Sequence, residues 1–393
     1  MSENRSSTRS GPAILQVVPR LDAGGAERSA VEIAAALAHA GFVPLVASEG
    51  GRMVAEFEAA GGEWLPMPLD AKSPSALLAN ARRLRDLIRR RNIRLVHARS
   101  RAPAWSALWA ARRTGTAFVT TFHGAYAADF PLKRLYNSVM LRGDAVIANS
   151  QWTADHIRED YWLRPKRLVV IPRGVDLDRF DPAGVPRERV LRLREAWGAG
   201  REQSVVLLPG RMTRWKGQLI LIEAAARLAQ KREPGALRVV FAGDAQGRDD
   251  YTAEVERAVE RHRLGQVVAI AGHVEDMAAA YLASDIVVSA STKPEAFGRV
   301  AAEGAAMARP VIATDHGGAR ETVLADTSGL LVPPGDPATL AEALTKLLDA
   351  GPAARAAMGA AGRAHIQRHF TLERMTGETI GLYRELLGPL AAK

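Results

Sequence analysis

Two carboxylates with seven residues between them, Glu295 and Glu303, lie in the stretch PEAFGRVAAEGAAMARP. The apolar run after Gly298 predicts a helix opening near Phe297, whose first amides lack partners within the helix and sit at the positive end of its dipole. Amides exposed over Phe297–Arg299 suit an anion or a hydroxyl. A carboxylate at each end of the segment suits sugar hydroxyls, although a helix-capping Glu295 and a surface Glu303 would give the same spacing. A second group, LLPGRMTRWKGQ, ends a strand at Pro209-Gly210 and sets Arg211 and Lys216 five residues apart in the following loop. Two cations beyond the carboxyl end of a parallel strand fit a diphosphate. The glycine spacing and Lys-Ser/Thr pair of a phosphate-binding P-loop are missing. In PRLDAGGAER, Gly24 and Gly25 allow close backbone approach to a ligand just before a helix, without a complete dinucleotide fingerprint. TTFHGAY places His123 at the end of a strand beside Gly124, where ligands of α/β proteins gather.

These positions require elements that end together. Short apolar runs alternate with amphipathic helices: strands at 14–18, 42–48, 93–98, 117–122 and 145–149, with helices near 75–91, 103–113 and 131–141 between them. The pattern resumes with strands at 205–209, 237–242, 267–271, 285–289 and 310–314. Strand–helix alternation of this kind predicts parallel, doubly wound sheets. The Pro-, Gly- and charge-rich stretch Arg173–Arg189 separates the two runs and reads as a linker, which favours two domains over an eight-fold barrel. The expected organisation is a first Rossmann-like domain over 12–185, a second over 186–370 and a final helical segment, 371–393, packing back on the first.

Composition narrows the classes further. The chain has 393 residues, 47% of them hydrophobic, and no cysteine, which excludes disulfides, a thiol nucleophile and zinc–thiolate sites. The start, MSENRSSTRSG, lacks the apolar core of a secretory signal, and no apolar run reaches the ~20 residues that span a bilayer. A cytoplasmic protein is expected. The net charge is +10, of which +9 falls in residues 1–190, and residues 82–101 hold nine arginines against Asp86. This asymmetry points to an anionic partner for the first half. The Arg-rich stretch lacks interleaved aromatics and sits in a helix of the α/β pattern, so nucleic acid is not expected.

Taken together and in order, GGAER, FHG, VIPRGVD, GRMTRWKG, FAGD, the Glu–seven–Glu segment and PVIATDHGGARE resemble glycosyltransferase family 4, retaining enzymes of the GT-B fold. The resemblance runs over nearly the whole chain. It implies two Rossmann-like domains facing across a cleft and a nucleotide-diphosphate sugar as donor, held mainly by the second domain. Arg211 and Lys216 match the pair that grips the diphosphate, and Glu303 the carboxylate on the ribose. Glu295, with the amides of Phe297 and Gly298, matches the contacts to the donor sugar and its phosphate. Gly25 and His123 match first-domain contacts, and Val274 lies where the base would be met. The family usually has Asn where Arg173 stands. Asp176 and Asp178 fall in the same motif, away from any expected metal site, and no metal or other cofactor is expected. The implied acceptor is a glycan or lipid-linked molecule of lipopolysaccharide or other surface-polysaccharide synthesis. The basic stretch Arg82–Arg94 would then meet an anionic membrane on its cytoplasmic face. An NAD(P)-dependent oxidoreductase and a GT-B sugar-nucleotide epimerase are the rival readings.

Overall fold

In the computed structural model, residues 11–22, 24–71, 73–124, 126 and 130–388 are described. By its internal contacts the chain divides into two compact units, one running to Pro172 and taking in the segment from Glu373, the other Arg173–Leu372. The first contains strands β1 (Ala13–Val17), β2 (Val43–Ser48), β3 (Glu63–Pro66), β4 (Ile93–Ala98), β5 (Ala117–Phe122), β6 (Ala145–Ala148) and β7 (Leu168–Val170). They form one parallel sheet in the order β3-β2-β1-β4-β5-β6-β7. The second contains β8 (Ser204–Pro209), β9 (Leu237–Ala242), β10 (Val268–Gly272), β11 (Ile286–Ser289), β12 (Val311–Thr314) and β13 (Gly329–Val332). These are also parallel, in the order β10-β9-β8-β11-β12-β13.

Central strands of such sheets are covered by helices on both faces and so are apolar throughout. AILQV is buried at every position, and so are the last five residues of SVVLLP. The strand order reverses between β1 and β4 and again between β8 and β11. A crevice opens at the carboxyl ends of the strands at such a point. The loops that must meet there are 210–217 after β8 and 290–298 after β11.

The stretch expected to be a linker is packed instead. Val175 and Phe180 are buried in the second unit's core. The Val175 amide donates to the Phe370 carbonyl (2.8 Å) and the Leu372 amide to the Val175 carbonyl (2.9 Å). A methyl on Gly174 would lie 2.3 Å from the Thr371 carbonyl oxygen, so only glycine allows this approach. Residues 173–185 therefore lie with the second unit, not the first. Asp176 accepts the amides of Asp178 (3.1 Å) and Arg179 (3.0 Å), which makes it the start of a local turn.

The final helix, Leu372–Leu387, lies almost wholly in the first unit. Its buried Tyr383 bonds His97 Nδ1 of β4, while His97 Nε2 meets Thr121 Oγ1 of β5 at 2.7 Å. Burial, with the nearby Arg99 charge, holds His97 well below the ordinary imidazole value, and burial pushes the Tyr383 hydroxyl up to about 12. Both groups are thus neutral near pH 7. Among the described residues, no helix is long and apolar enough to cross a membrane.

Candidate functional site

The two loops at the second sheet's reversal point meet through their charges. Lys216 Nζ lies 2.7 Å from Glu295 Oε1, with the side chains only 12% and 16% exposed. Ser291 donates its hydroxyl to the same carboxylate oxygen. Burial alone would raise the Glu295 carboxyl, but the Lys216 ammonium and the Ser291 hydroxyl outweigh it. The net shift is below the usual carboxylate range. Glu295 is therefore ionised and paired, and it does not cap the helix that follows.

Backbone geometry fixes this meeting. Gly217 adopts a left-handed φ of 81° and turns the chain from a short 3-10 turn into helix Gln218–Ala229. A methyl there would strike the Ala290 carbonyl at 2.0 Å, so the Lys216 loop can press against the chain leaving β11 only with glycine. The Thr292 amide donates to the Trp215 carbonyl at 2.7 Å across the same contact. On the other side, methyls on Gly317 and Gly318 would lie 2.4 Å from the Glu295 carbonyl oxygen and 2.5 Å from the Phe297 Cα. The Gly318 amide donates to the Glu295 carbonyl (2.8 Å). His316 donates Nε2–H to the Ser291 carbonyl (2.8 Å), which Thr314 Oγ1 also reaches (2.9 Å). Burial holds His316 below the ordinary imidazole value, so it stays neutral.

The helix after Glu295 runs Arg299–Ala306, two residues later than the spacing suggested, because Gly298 sits at φ 82° as its N-cap. No side chain caps it. Phe297 is buried and packs edge-on to Phe370, with ring centroids 5.7 Å apart. Glu303, one turn inside, is not a surface residue: its side chain is 14% exposed. It accepts the Tyr281 hydroxyl (2.9 Å) and pairs with Arg299 Nε (3.1 Å). Burial and the adjacent Glu303 charge push the Tyr281 hydroxyl well above its ordinary value, so it remains a donor.

The remaining expected residues are distributed around this cluster. Arg211 is in the same loop as Lys216 but does not join its ion pair. It is exposed and lines a cavity of about 550 Å³ with Arg214, Trp215, Arg248 and Tyr251, among others. Val274 follows β10, two strands away from β8 in the sheet order, and packs partly buried against the core. In the first unit, Gly25 is the first residue of helix Gly25–His39, after β1, and His123 directly follows β5. His123 is at the carboxyl end of its strand, and Gly25 comes eight residues after the end of β1. Ser291, His316, Tyr281 and Arg299 were not anticipated. Their one sequence signal is His316 directly before the Gly317-Gly318 pair. Among the described residues, no group of three or more His, Asp or Glu is arranged to hold a metal ion.

Comparison with known proteins fits this geometry. The model of Glycosyltransferase Family 4 matches residues 23–179, and that of Glycosyl transferases group 1 matches residues 203–350. A D-inositol 3-phosphate glycosyltransferase from Xylanimonas cellulosilytica is 36% identical over 227 residues, covering 56% of this chain and 53% of that protein. The chain thus spans about half the length of the curated relatives it matches. Among solved structures, a glycosyltransferase from Rickettsia africae is 36% identical with a TM-score of 0.88, covering 97% of this chain and 100% of that one. Anabaena HepE in complex with UDP-glucose has a TM-score of 0.82 at 23% identity, covering 95% of this chain and 99% of that one, a likeness of fold.

Proposed function

The chain belongs to glycosyltransferase family 4, and from that premise we propose that it transfers a sugar, with retention, from a nucleotide-diphosphate sugar to a glycan or lipid-linked acceptor. The observation that carries this reading is the Lys216–Glu295–Ser291 cluster beside the uncapped helix start at Gly298, with Glu303 one turn further on. In this reading Lys216 and the amides of Phe297 and Gly298 receive the diphosphate, with Arg211 swinging in from its exposed position. Glu303, oriented by Tyr281 and Arg299, takes ribose hydroxyls. Glu295 takes hydroxyls of the donor sugar, and Val274 borders the base. Gly25 and His123 are the first unit's contributions.

The chemistry follows from charge. As the glycosidic bond breaks, negative charge grows on the departing diphosphate. Donors fixed where that charge develops lower the barrier more than they tighten the ground state. With an ammonium, a guanidinium and a helix end available, no divalent ion is required. The expected outcome is full activity in EDTA; activity restored only by added Mn²⁺ would overturn this. Glu295 and Glu303 act as binding groups, unlike the acid and nucleophile pair of glycosidases. The acceptor's proton passes to the departing phosphate oxygen on the same face.

Neighbours of the same fold were solved with UDP and UDP-glucose, which puts UDP-sugars first among donors to test. For the acceptor, lipopolysaccharide or another surface polysaccharide fits a basic first half, with Arg82–Arg94 meeting an anionic cytoplasmic membrane surface. The name of the curated relatives favours a second reading, a phosphorylated polyol. A thermal-shift screen of UDP-, GDP- and ADP-sugars tests the donor. Product analysis with a lipid-linked glycan and with inositol phosphate separates the acceptors.

A further inference from the structure

We propose that a groove on the first unit, between helices Pro74–Arg90 and Arg101–Thr114, is the seat for an anionic phospholipid headgroup at a bilayer surface. This rests on the anionic-surface reading of Arg82–Arg94 but moves its centre. The groove encloses about 540 Å³, lined among others by Leu78, Arg82, Arg85, Trp109, Arg112 and Arg113. Two of its arginines thus come from the second helix, outside the stretch that drew attention in the sequence.

Three observations select the occupant. First, the lining combines cations with exposed apolar groups: Trp109 is 42% exposed and Leu78 47%. An indole beside arginines suits the headgroup layer, where an amphipathic ring sits comfortably. Second, Arg82, Arg112 and Arg113 make no ion pair among the described residues, and Asp86, next to Arg85 in the chain, is held by it at 2.8 Å. Guanidinium groups free of carboxylates keep their donors for phosphate oxygens. Third, the basic surface continues: Arg112 also borders a cavity of about 310 Å³ with Arg142 and Arg164, where Asp144 is paired with Lys166 at 3.2 Å. By contrast, Arg91 at the far end of the first helix is already paired with Glu63. Cations spread over two helices fit a bilayer better than a single soluble anion, and the apolar lining residues Leu78 and Trp109 give the reason for preferring a lipid.

Co-sedimentation of the full-length protein with vesicles tests this, using phosphatidylcholine alone and phosphatidylcholine with phosphatidylglycerol. Binding is expected only to the anionic vesicles, falling with added salt. Arg112→Glu with Arg113→Glu, and separately Trp109→Ala, should each weaken it at least ~10-fold. Arg89→Glu with Arg90→Glu, an equal charge change on the first helix outside the groove, should weaken it less than ~3-fold. Unchanged UDP-induced thermal shifts would certify that the variants are folded. Equal losses in the two double variants would overturn the groove and leave a diffuse basic face. Loss only in the Arg89/Arg90 variant would overturn it in favour of the helix end. Equal binding to neutral vesicles, or none to either, would overturn the membrane reading without touching the transferase reading.

Discussion

At the scale of single residues, the Lys216–Glu295 pair carries most of the argument and makes the sharpest predictions. Removing the ammonium leaves a largely buried carboxylate with only Ser291 as a close partner. Breaking a fully buried pair this way costs ~3–5 kcal/mol. Here residual exposure and the remaining hydroxyl reduce that to about 2 kcal/mol for Lys216→Met at pH 7, measured by denaturant unfolding. The sign with pH is fixed. The Glu295 carboxyl is depressed in the folded state, so its contribution is present above the unfolded value of ~4.3 and lost as pH falls through the lower folded value. In Lys216→Met burial acts with less opposition, so that variant loses less on acidification. The stability gap between the two proteins should therefore narrow below about pH 4.5; a gap that widens in acid would contradict the assignment. Glu303 offers a second case. Glu303→Ala strands the buried Tyr281 hydroxyl, costing about 1–3 kcal/mol, whereas Glu303→Gln keeps an acceptor for it and should stay near wild-type stability. Glu303→Ala should also weaken nucleotide binding ~10-fold or more, as loss of a charge-assisted contact implies.

At the scale of elements, glycines decide whether the site exists. Gly318 has ordinary helical backbone angles, so Gly318→Ala is a purely steric insult: its methyl would meet the Phe297 Cα at 2.5 Å. It should cost about 2–3 kcal/mol and displace the Glu295–Gly298 segment. Gly377, exposed in the last helix with nothing near its missing methyl, makes the control. Gly377→Ala should stabilise by about 0.5–1 kcal/mol. Thermal unfolding of both variants checks the opposite signs. The same contrast shows what a sequence can and cannot reveal. β4, β5 and β9 were legible to the residue because most positions of a strand covered on both faces are apolar, as in IRLVHA, AFVTTF and LRVVFA. β3, β7 and β13 went unread because each is short and its sequence carries little of a strand's pattern. EWLP has a glutamate and a proline at its ends, LVV is only three residues long, and GLLV opens on a glycine that lets the Val311 carbonyl approach to 2.1 Å of where a methyl would be. Residue types at the site were legible too, but their meeting was not. Lys216 and Glu295 are 79 positions apart, and only the order β8-β11 brings their loops together.

At the scale of the whole molecule, the chain is not two beads in series. It crosses from the first unit to the second at Pro172 and returns after Leu372. The returning helix is tied to the first sheet by Tyr383 at His97 and by Arg167–Glu385 at 2.6 Å. Tyr383→Phe removes a partner from a buried imidazole and should destabilise by about 1–3 kcal/mol. Truncation after Leu372 should expose first-unit sites to limited proteolysis ahead of second-unit sites; the reverse order of cleavage would contradict the division. The central claim is that the second unit's Lys216–Glu295 cluster receives the diphosphate of a nucleotide sugar. Calorimetric titration of UDP-, GDP- and ADP-sugars into the wild-type chain and into Lys216→Met tests it most directly. The account predicts saturable 1:1 binding of at least one of them to the wild type, weakened ~10-fold or more in a variant that remains folded. Equal affinity in the two proteins, or no binding of any of the three by the wild type, would contradict it.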